Sequence, residues 1–256
     1  MAATLAEALW AARIGGHVIA VAPEQRPTTA AAAYEVQATM LEHAGLAQVG
    51  WKIGATTAAT QALLGVDEPL LGPLFAPHCH PDGAEVKLVA AHRPGLESEF
   101  LVGLATDLPP RDRPYEASEV AAAVEFVAPA FEIIGCRFES GLAGEGLLVV
   151  ADGGGNAAIV RGQAVRDWRR FDLGRHAVRL RVNGAEVAAG SSSDLLFGDP
   201  IGAVAWLANH ALLKERGLRR GEMVMTGTCT GLTLIKPGDA AMADYGDFGQ
   251  VRATFV

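Results

Sequence analysis

Cysteine is scarce in this 256-residue chain: Cys79, Cys136 and Cys229 are far apart and odd in number. That fits free thiols in a reducing, cytoplasmic setting better than a disulfide framework. Basic charge is also short, 21 Lys and Arg against 29 Asp and Glu for a net charge of −8. Non-specific nucleic-acid binding needs clustered cations and is disfavoured. No apolar run approaches the roughly 20 residues that span a bilayer. The opening "MAATLAEALWAARIGG" lacks the basic and apolar regions of a signal peptide, so none is expected. Internal repeats, low-complexity tracts and long linkers are missing too. No Gly-rich stretch continues into GK[ST], which excludes a P-loop, and "ADGGGNAA" lacks the strand–GxGxxG–helix setting of a dinucleotide site.

What is present is a chain half apolar by count, enough for a substantial core. Residues 1–47 read as a helical region: Leu5, Leu9, Ala12 and Arg13 form one amphipathic pattern ending at Gly15-Gly16. Tyr34, Gln37, Ala38, Leu41 and Ala44 form a second, closed by Gly45. Residues 48–256 read as mostly β. "VGWKIGAT", "AEVKLVAA", "LESEFLVGL", "FVAPAFEIIGCRF" and "LLVVAD" are expected strands, with "TAATQALLG" a helix. Asn183-Gly184 between alternating segments predicts a hairpin. Asp199-Pro200 predicts a helix start, N-cap then N1, with apolar spacing running to about Gly217. "GEMVMTG", "LTLIKPGDAAMADY" and "GQVRATFV" are expected closing strands, with turns at Pro237-Gly238 and Gly246. Many short strands and few helices favour an α+β, β-rich roll or barrel over βαβ units.

Glu97 and Glu99 in "LESEF" sit two apart, so a strand puts both carboxylates on one face, where they repel and resist desolvation. One of them could face solvent from an edge strand; otherwise a hard divalent cation removes the repulsion. Glu132, a lone acid between Phe131 and Ile133, offers a third carboxylate, and Mg²⁺ or Mn²⁺ is the expected partner. Lys52 lies between core-like Trp51 and Ile53, with Gly50 and Gly54 on its own face leaving room near the backbone. In a pocket it could stabilise an anion or move a proton; on an edge strand it would be an ordinary lysine. His78, Cys79 and His80 lack the second ligand pair of a zinc motif and read as loop. Thr226, Thr228 and Thr230 alternate at period two; they are β-formers whose hydroxyls could hold a carboxylate.

"GWKIGAT", "LLGVDEPLLGPLF", "LESEF", "VAPAFEIIGCRF", "VVADGGGNAA", "GDPIGAVAWLANH" and "GEMVMTGTCTG" follow one another in an order and spacing that resemble the 2-keto-4-pentenoate hydratase branch of the fumarylacetoacetate hydrolase superfamily. The resemblance implies a mixed β-roll, open at one end, behind a helical N-terminal region. It implies Glu97, Glu99 and Glu132 as metal ligands and Lys52 as catalytic. Gly72, Leu74 and Phe75 of "GPLF", Asp152, Thr226 and Thr228 are implied around a small 2-oxo acid. A homo-oligomer is expected, and the implied reaction is addition of water to a 2-hydroxy-2,4-dienoate. Alternatives are a 4-oxalocrotonate-type decarboxylase, an acylpyruvate hydrolase, or a silent homologue that binds a metabolite or a partner. The sequence departs from the family pattern at Gly153, where Asn is common, and in the "TGTCTG" run.

Overall fold

A computed structural model describes residues 3–256; the first two residues of the expected N-terminal region lie outside them. Helix α1 (Leu5–Gly15) starts at Thr4, which forms a reciprocal capping box with Glu7, and ends at left-handed Gly16. Helix α2 (Ala30–Ala44) is capped by Thr29 and closed by left-handed Gly45. Strand β1 (Gln48–Gly54), helix α3 (Ala58–Leu64) and strand β2 (Leu70–Phe75) follow. After them come two short strands, β3 (Cys79–Pro81) and β4 (Ala84–Val86), and then β5 (Gly95–Leu104). Helix α4 (Ala117–Ala123) leads directly into β6 (Val124–Ile134). Helix α5 (Gly146–Ala151), β7 (Asn156–Arg161), the hairpin β8 (Val178–Val182) and β9 (Ala185–Gly190), and α6 (Pro200–Ala208) come next. Strands β10 (Met223–Thr228), β11 (Thr233–Leu234), β12 (Ala240–Asp244) and β13 (Gln250–Phe255) complete the chain.

The strands form two sheets. The larger runs β2-β1-β10-β5-β6-β7-β3 with β11 added to β5, and the smaller runs β4-β13-β12-β8-β9. Phe100, Val102, Phe131 and Ile133 of the first share one buried cluster with Leu180, Ala243, Val251 and Phe255 of the second. This is the expected mixed β-roll. Trp51 and Ile53 join that cluster, so Lys52 necessarily points to the other face of β1. Helices α1, α2 and α5 make a second cluster around Leu9, Met40 and Leu148.

Four expectations are corrected. "LLVVAD" is helix α5, not a strand. Leu148, Val149, Val150 and Ala151 are all buried, and a short apolar run buried on every side has no periodicity to tell the two apart. The strand expected in "AEVKLVAA" ends at Val86, and that in "FVAPAFEIIGCRF" ends at Ile134. Helix α6 stops at Ala208 rather than near Gly217. Asn209 is its cap and clamps the backbone of Tyr115 from both sides, through Oδ1 to N and Nδ2 to O. The turn expected at Pro237-Gly238 is present and divides "LTLIKPGDAAMADY" into β11 and β12, which belong to different sheets. Helix α4, capped by Glu116 and Glu119, carried no signal strong enough to be expected.

Candidate active site

Antiparallel pairing of β5 and β6 places Glu97 directly opposite Glu132 and Glu99 opposite Ala130. Glu97, Glu99 and Glu132 therefore share one sheet face, and an oxygen from each lies within 4.8 Å of the others. Glu99 and Glu132 are fully buried and Glu97 is half-buried. Like charges opposite each other in a sheet are destabilising. Burial first, and the Glu132 carboxylate second, push the Glu97 carboxyl up to about 7. The same two causes, joined by Glu97 itself, raise Glu99 well above the carboxylate range.

One cation stands among them. Lys52 is 3% exposed, and its Nζ sits 3.4 Å from Glu132 Oε1 while donating to the Gly154 carbonyl at 2.9 Å. It reaches that place because β1 pairs with β10 on one side and β2 on the other, in the row Gly72–Lys52–Met225. The room beside its glycine neighbours is filled by close approaches. A Cβ at Gly54 would meet Lys52 Nζ at 2.8 Å, whereas one at Gly50 would strike the Met223 backbone.

Two donors fix the acids. The Gly227 N–H donates to Glu99 Oε2 at 2.8 Å, from a φ of 106° within the register shift between Met225 and Thr228. The Asn156 amide donates to Glu132 Oε1 at 2.8 Å. Glu132 Oε2 is buried without a partner. With all three ionised the acids would exceed Lys52 by two negative charges, and burial with mutual repulsion raises Glu97 and Glu99 instead. A divalent cation would restore the ionised forms, and Glu132 Oε2, buried without a donor, is free to face it. Three hard oxygen donors suit a divalent metal such as Mg²⁺ or Mn²⁺.

The other expected residues divide. Gly72 lies against the turn of Gly153–Gly155, three glycines with φ near +72°, where a Cβ would strike the Gly153 carbonyl. Leu74 is buried on the acids' face of the sheet with Leu101, Ala130 and Met225. Phe75 turns to the N-terminal helix, its ring 6.0 Å from that of Trp10. Asp152 is fully buried and paired with Arg137 at 3.2 Å, away from the pocket wall. Thr226 donates to the Phe100 carbonyl at 2.9 Å, and Thr228 Oγ1 accepts from the Thr230 N–H. Both hydroxyls are thus engaged with backbone. His78, Cys79 and His80 form no metal cluster; among the described residues the three glutamates are the only such group. Sequence reasoning missed Gly227, Asn156 and the Gly154 carbonyl, two of which act through backbone atoms that no residue type signals.

Lys52 and Glu97 open onto a small cavity of about 80 Å³. Its remaining wall is mainly apolar, with Leu63, Leu64, Leu70, Leu142 and Leu232, and Thr60 supplies its one side-chain hydroxyl. Neither Arg93 nor Arg137 reaches it.

A β-roll that gathers three acids and an amine beside a small apolar pocket is the architecture of a small-molecule enzyme. Residues 151–256 match the family model described as fumarylacetoacetate (FAA) hydrolase C-terminal. A 2-keto-4-pentenoate hydratase of Paraburkholderia xenovorans (strain LB400) is 33% identical over 207 residues, 81% of this chain and 76% of that protein. A 4-oxalocrotonate decarboxylase of Pseudomonas putida is 33% identical over 258 residues, 98% of this chain and 96% of that one. The solved structure of 4-oxalocrotonate decarboxylase from Pseudomonas putida G7, complexed with magnesium and adipate, has a TM-score of 0.88 at 30% identity. That match covers 98% of this chain and 96% of the other. The chain belongs to the fumarylacetoacetate hydrolase superfamily, in the branch of the 2-keto-4-pentenoate hydratases and 4-oxalocrotonate decarboxylases.

Proposed function

We propose that this chain is a divalent-metal-dependent hydro-lyase that adds water to a 2-hydroxy-2,4-dienoate, giving a 4-hydroxy-2-oxo acid. The observation that supports it best is the pocket: Glu97 and Lys52 line it, Glu99 and Glu132 cluster with Glu97, and the rest of the wall is mainly apolar without a second cation. A decarboxylase acting on a diacid needs a cationic or donor-rich wall for the distal carboxylate. An apolar wall suits a monocarboxylate with a hydrocarbon tail.

Glu97, Glu99 and Glu132 would hold Mg²⁺ or Mn²⁺, in keeping with the magnesium in the decarboxylase relative. When bound, the metal supplies Lewis-acid polarisation of the substrate's carboxylate and 2-oxygen. Lys52 Nζ, held by the Gly154 carbonyl, is placed to deliver or receive the proton that interconverts dienol and 2-oxo forms. Gly227 and Asn156 hold the carboxylates in place while this happens. Gly72 backs the glycine turn that holds Lys52 and Leu74 lies on the acids' face, whereas Phe75, Asp152, Thr226 and Thr228 are engaged elsewhere, with Trp10, Arg137 and backbone groups. We assign the working form as a homo-oligomer, which light scattering tests.

The second reading is decarboxylation of a 4-oxalocrotonate-like diacid, favoured by the overall likeness to the decarboxylase of Pseudomonas putida G7. Incubation with 2-hydroxypenta-2,4-dienoate and with 2-oxo-3-hexenedioate, Mg²⁺ present, separates the two. Water addition to the dienol is expected; CO₂ release from the diacid without hydration would establish the decarboxylase instead. Inactivity toward a panel of 2-oxo acids and acylpyruvates, with and without chelator, would leave a silent binding homologue.

A further inference from the structure

A second cavity, of about 300 Å³, lies against the end of β6 and shares Ile134 with the lining of the acidic pocket. It is bounded by the end of α1, the segment 77–80 and the segment 86–94. Exposed Ile14, Pro77 and Lys87 mark its mouth. Its charged and titratable lining consists of Arg13, His78, His80, Lys87, His92 and Arg137, and no Asp or Glu lines it.

The two arginines are inside the protein, Arg13 at 9% exposure and Arg137 at 1%. One buried acid, Asp152, serves both. Arg137 pairs with it at 3.2 Å, while Arg13 donates to the backbone carbonyls of Asp152 and Asn156. Two buried cations against one anion leave a residual charge of +1, an unfavourable arrangement unless something neutralises it. The Nε donors of Arg13 and Arg137 and the Nδ1 of His78 are buried without partners. The excess charge is felt locally: burial and the neighbouring Arg137 pull Arg13 down to about 9. Burial, Arg13 and Arg137 pull His78 down to about 4, so its imidazole is neutral near pH 7. Lys87 at the mouth adds a second positive charge.

We propose that this cavity is a binding site for a small dianionic oxyanion — sulfate, phosphate or a short dicarboxylate — neutralised by the excess charge of Arg13 and Arg137 together with Lys87, with His78 and His80 as further polar contacts. Charge count sets the dianion, and the guanidinium fork sets the preference for planar or tetrahedral oxygens. The site connects to the acids through one residue. Arg13 and Arg137 both donate to the Asn156 carbonyl, and the Asn156 side chain donates to Glu132. An anion that draws on the guanidiniums therefore acts on the donor that orients Glu132, and anion and metal affinities are linked reciprocally. Anion binding itself is independent of the metal reading; only the linkage rests on it.

The test is calorimetric titration of sulfate, and separately of succinate, into metal-free full-length protein at an ionic strength held constant with NaCl. The chelator is removed beforehand by gel filtration. One saturable site per chain is expected, with binding weakened at least tenfold in His78→Ala/Lys87→Ala and unchanged in Lys52→Met. Lys87→Glu, at an exposed position where folding is not at stake, should weaken it at least fivefold. The tighter of the two anions identifies the site as one for inorganic oxyanions or for carboxylates. Absence of saturable heat with both anions overturns the proposal. So does binding that survives Lys87→Glu and the double variant, or binding that disappears in Lys52→Met, which would put the anion among the acids.

Discussion

Glu97 and Glu132 face each other across adjacent antiparallel strands, and both are acids. Nothing in sheet formation favours that pair, because opposed like charges cost stability and burial raises the cost. The fold holds them there with Lys52 on one side and Asn156 on the other.

Removing a carboxylate should remove turnover without unfolding the chain. Glu99→Ala is expected to abolish metal-dependent activity while its circular dichroism spectrum stays native. Wild-type activity that persists undiminished in excess EDTA would show that the three acids serve some other purpose.

Lys52→Met keeps the apolar stem and deletes the amine. It should lower kcat by a factor on the order of 10², the range for one acid–base or electrostatic group. KM should change much less. A variant with normal kcat would reduce Lys52 to a charge that merely balances Glu132.

Asn156→Ala leaves Glu132 Oε1 without its amide donor. Loss of a partner that orients a metal ligand typically costs 10- to 100-fold in affinity, so Mn²⁺ binding followed by calorimetry should weaken by about 10-fold or more. Equal affinity in the variant would mean that the Asn156 contact does not position Glu132.

The pH dependence has a definite sign. Glu97 titrates near 7 in the folded, metal-free protein, above its ordinary value of 4.5. Between those values the native state binds more protons than the unfolded state, so stability falls as pH rises through that window. The metal-free melting temperature should drop by several degrees, on the order of 5 °C, between pH 5 and pH 8. Metal binding displaces these protons, so stabilisation by Mg²⁺ should grow over the same interval. A metal-free melting curve that is flat or rising from pH 5 to 8 contradicts the raised Glu97.

Local chemistry was readable wherever one residue type has one strong preference. Asp199-Pro200 started a helix, Asn183-Gly184 turned a hairpin, and the alternation of Trp51, Lys52 and Ile53 put the lysine on the face away from the core. The period-two spacing of Glu97 and Glu99 likewise required a common face. "LLVVAD" was unreadable for the opposite reason: in a segment buried on all sides, every position is apolar in a helix or a strand.

The sequence by itself determined which side chains had to be explained: three acids and a lysine in apolar strands, because buried charge without a partner is too costly to be incidental. Only the tertiary structure decided how they meet. The β5–β6 register put Glu97 opposite Glu132 rather than one residue away, and the β10 irregularity turned the Gly227 N–H toward Glu99. The glycine turn at 153–155 brought a carbonyl to Lys52. Register and backbone donors come from pairings between segments distant in the chain, which no local pattern encodes. The same pairings bring Arg13 and Arg137, 124 positions apart in the chain, to a single carbonyl oxygen of Asn156.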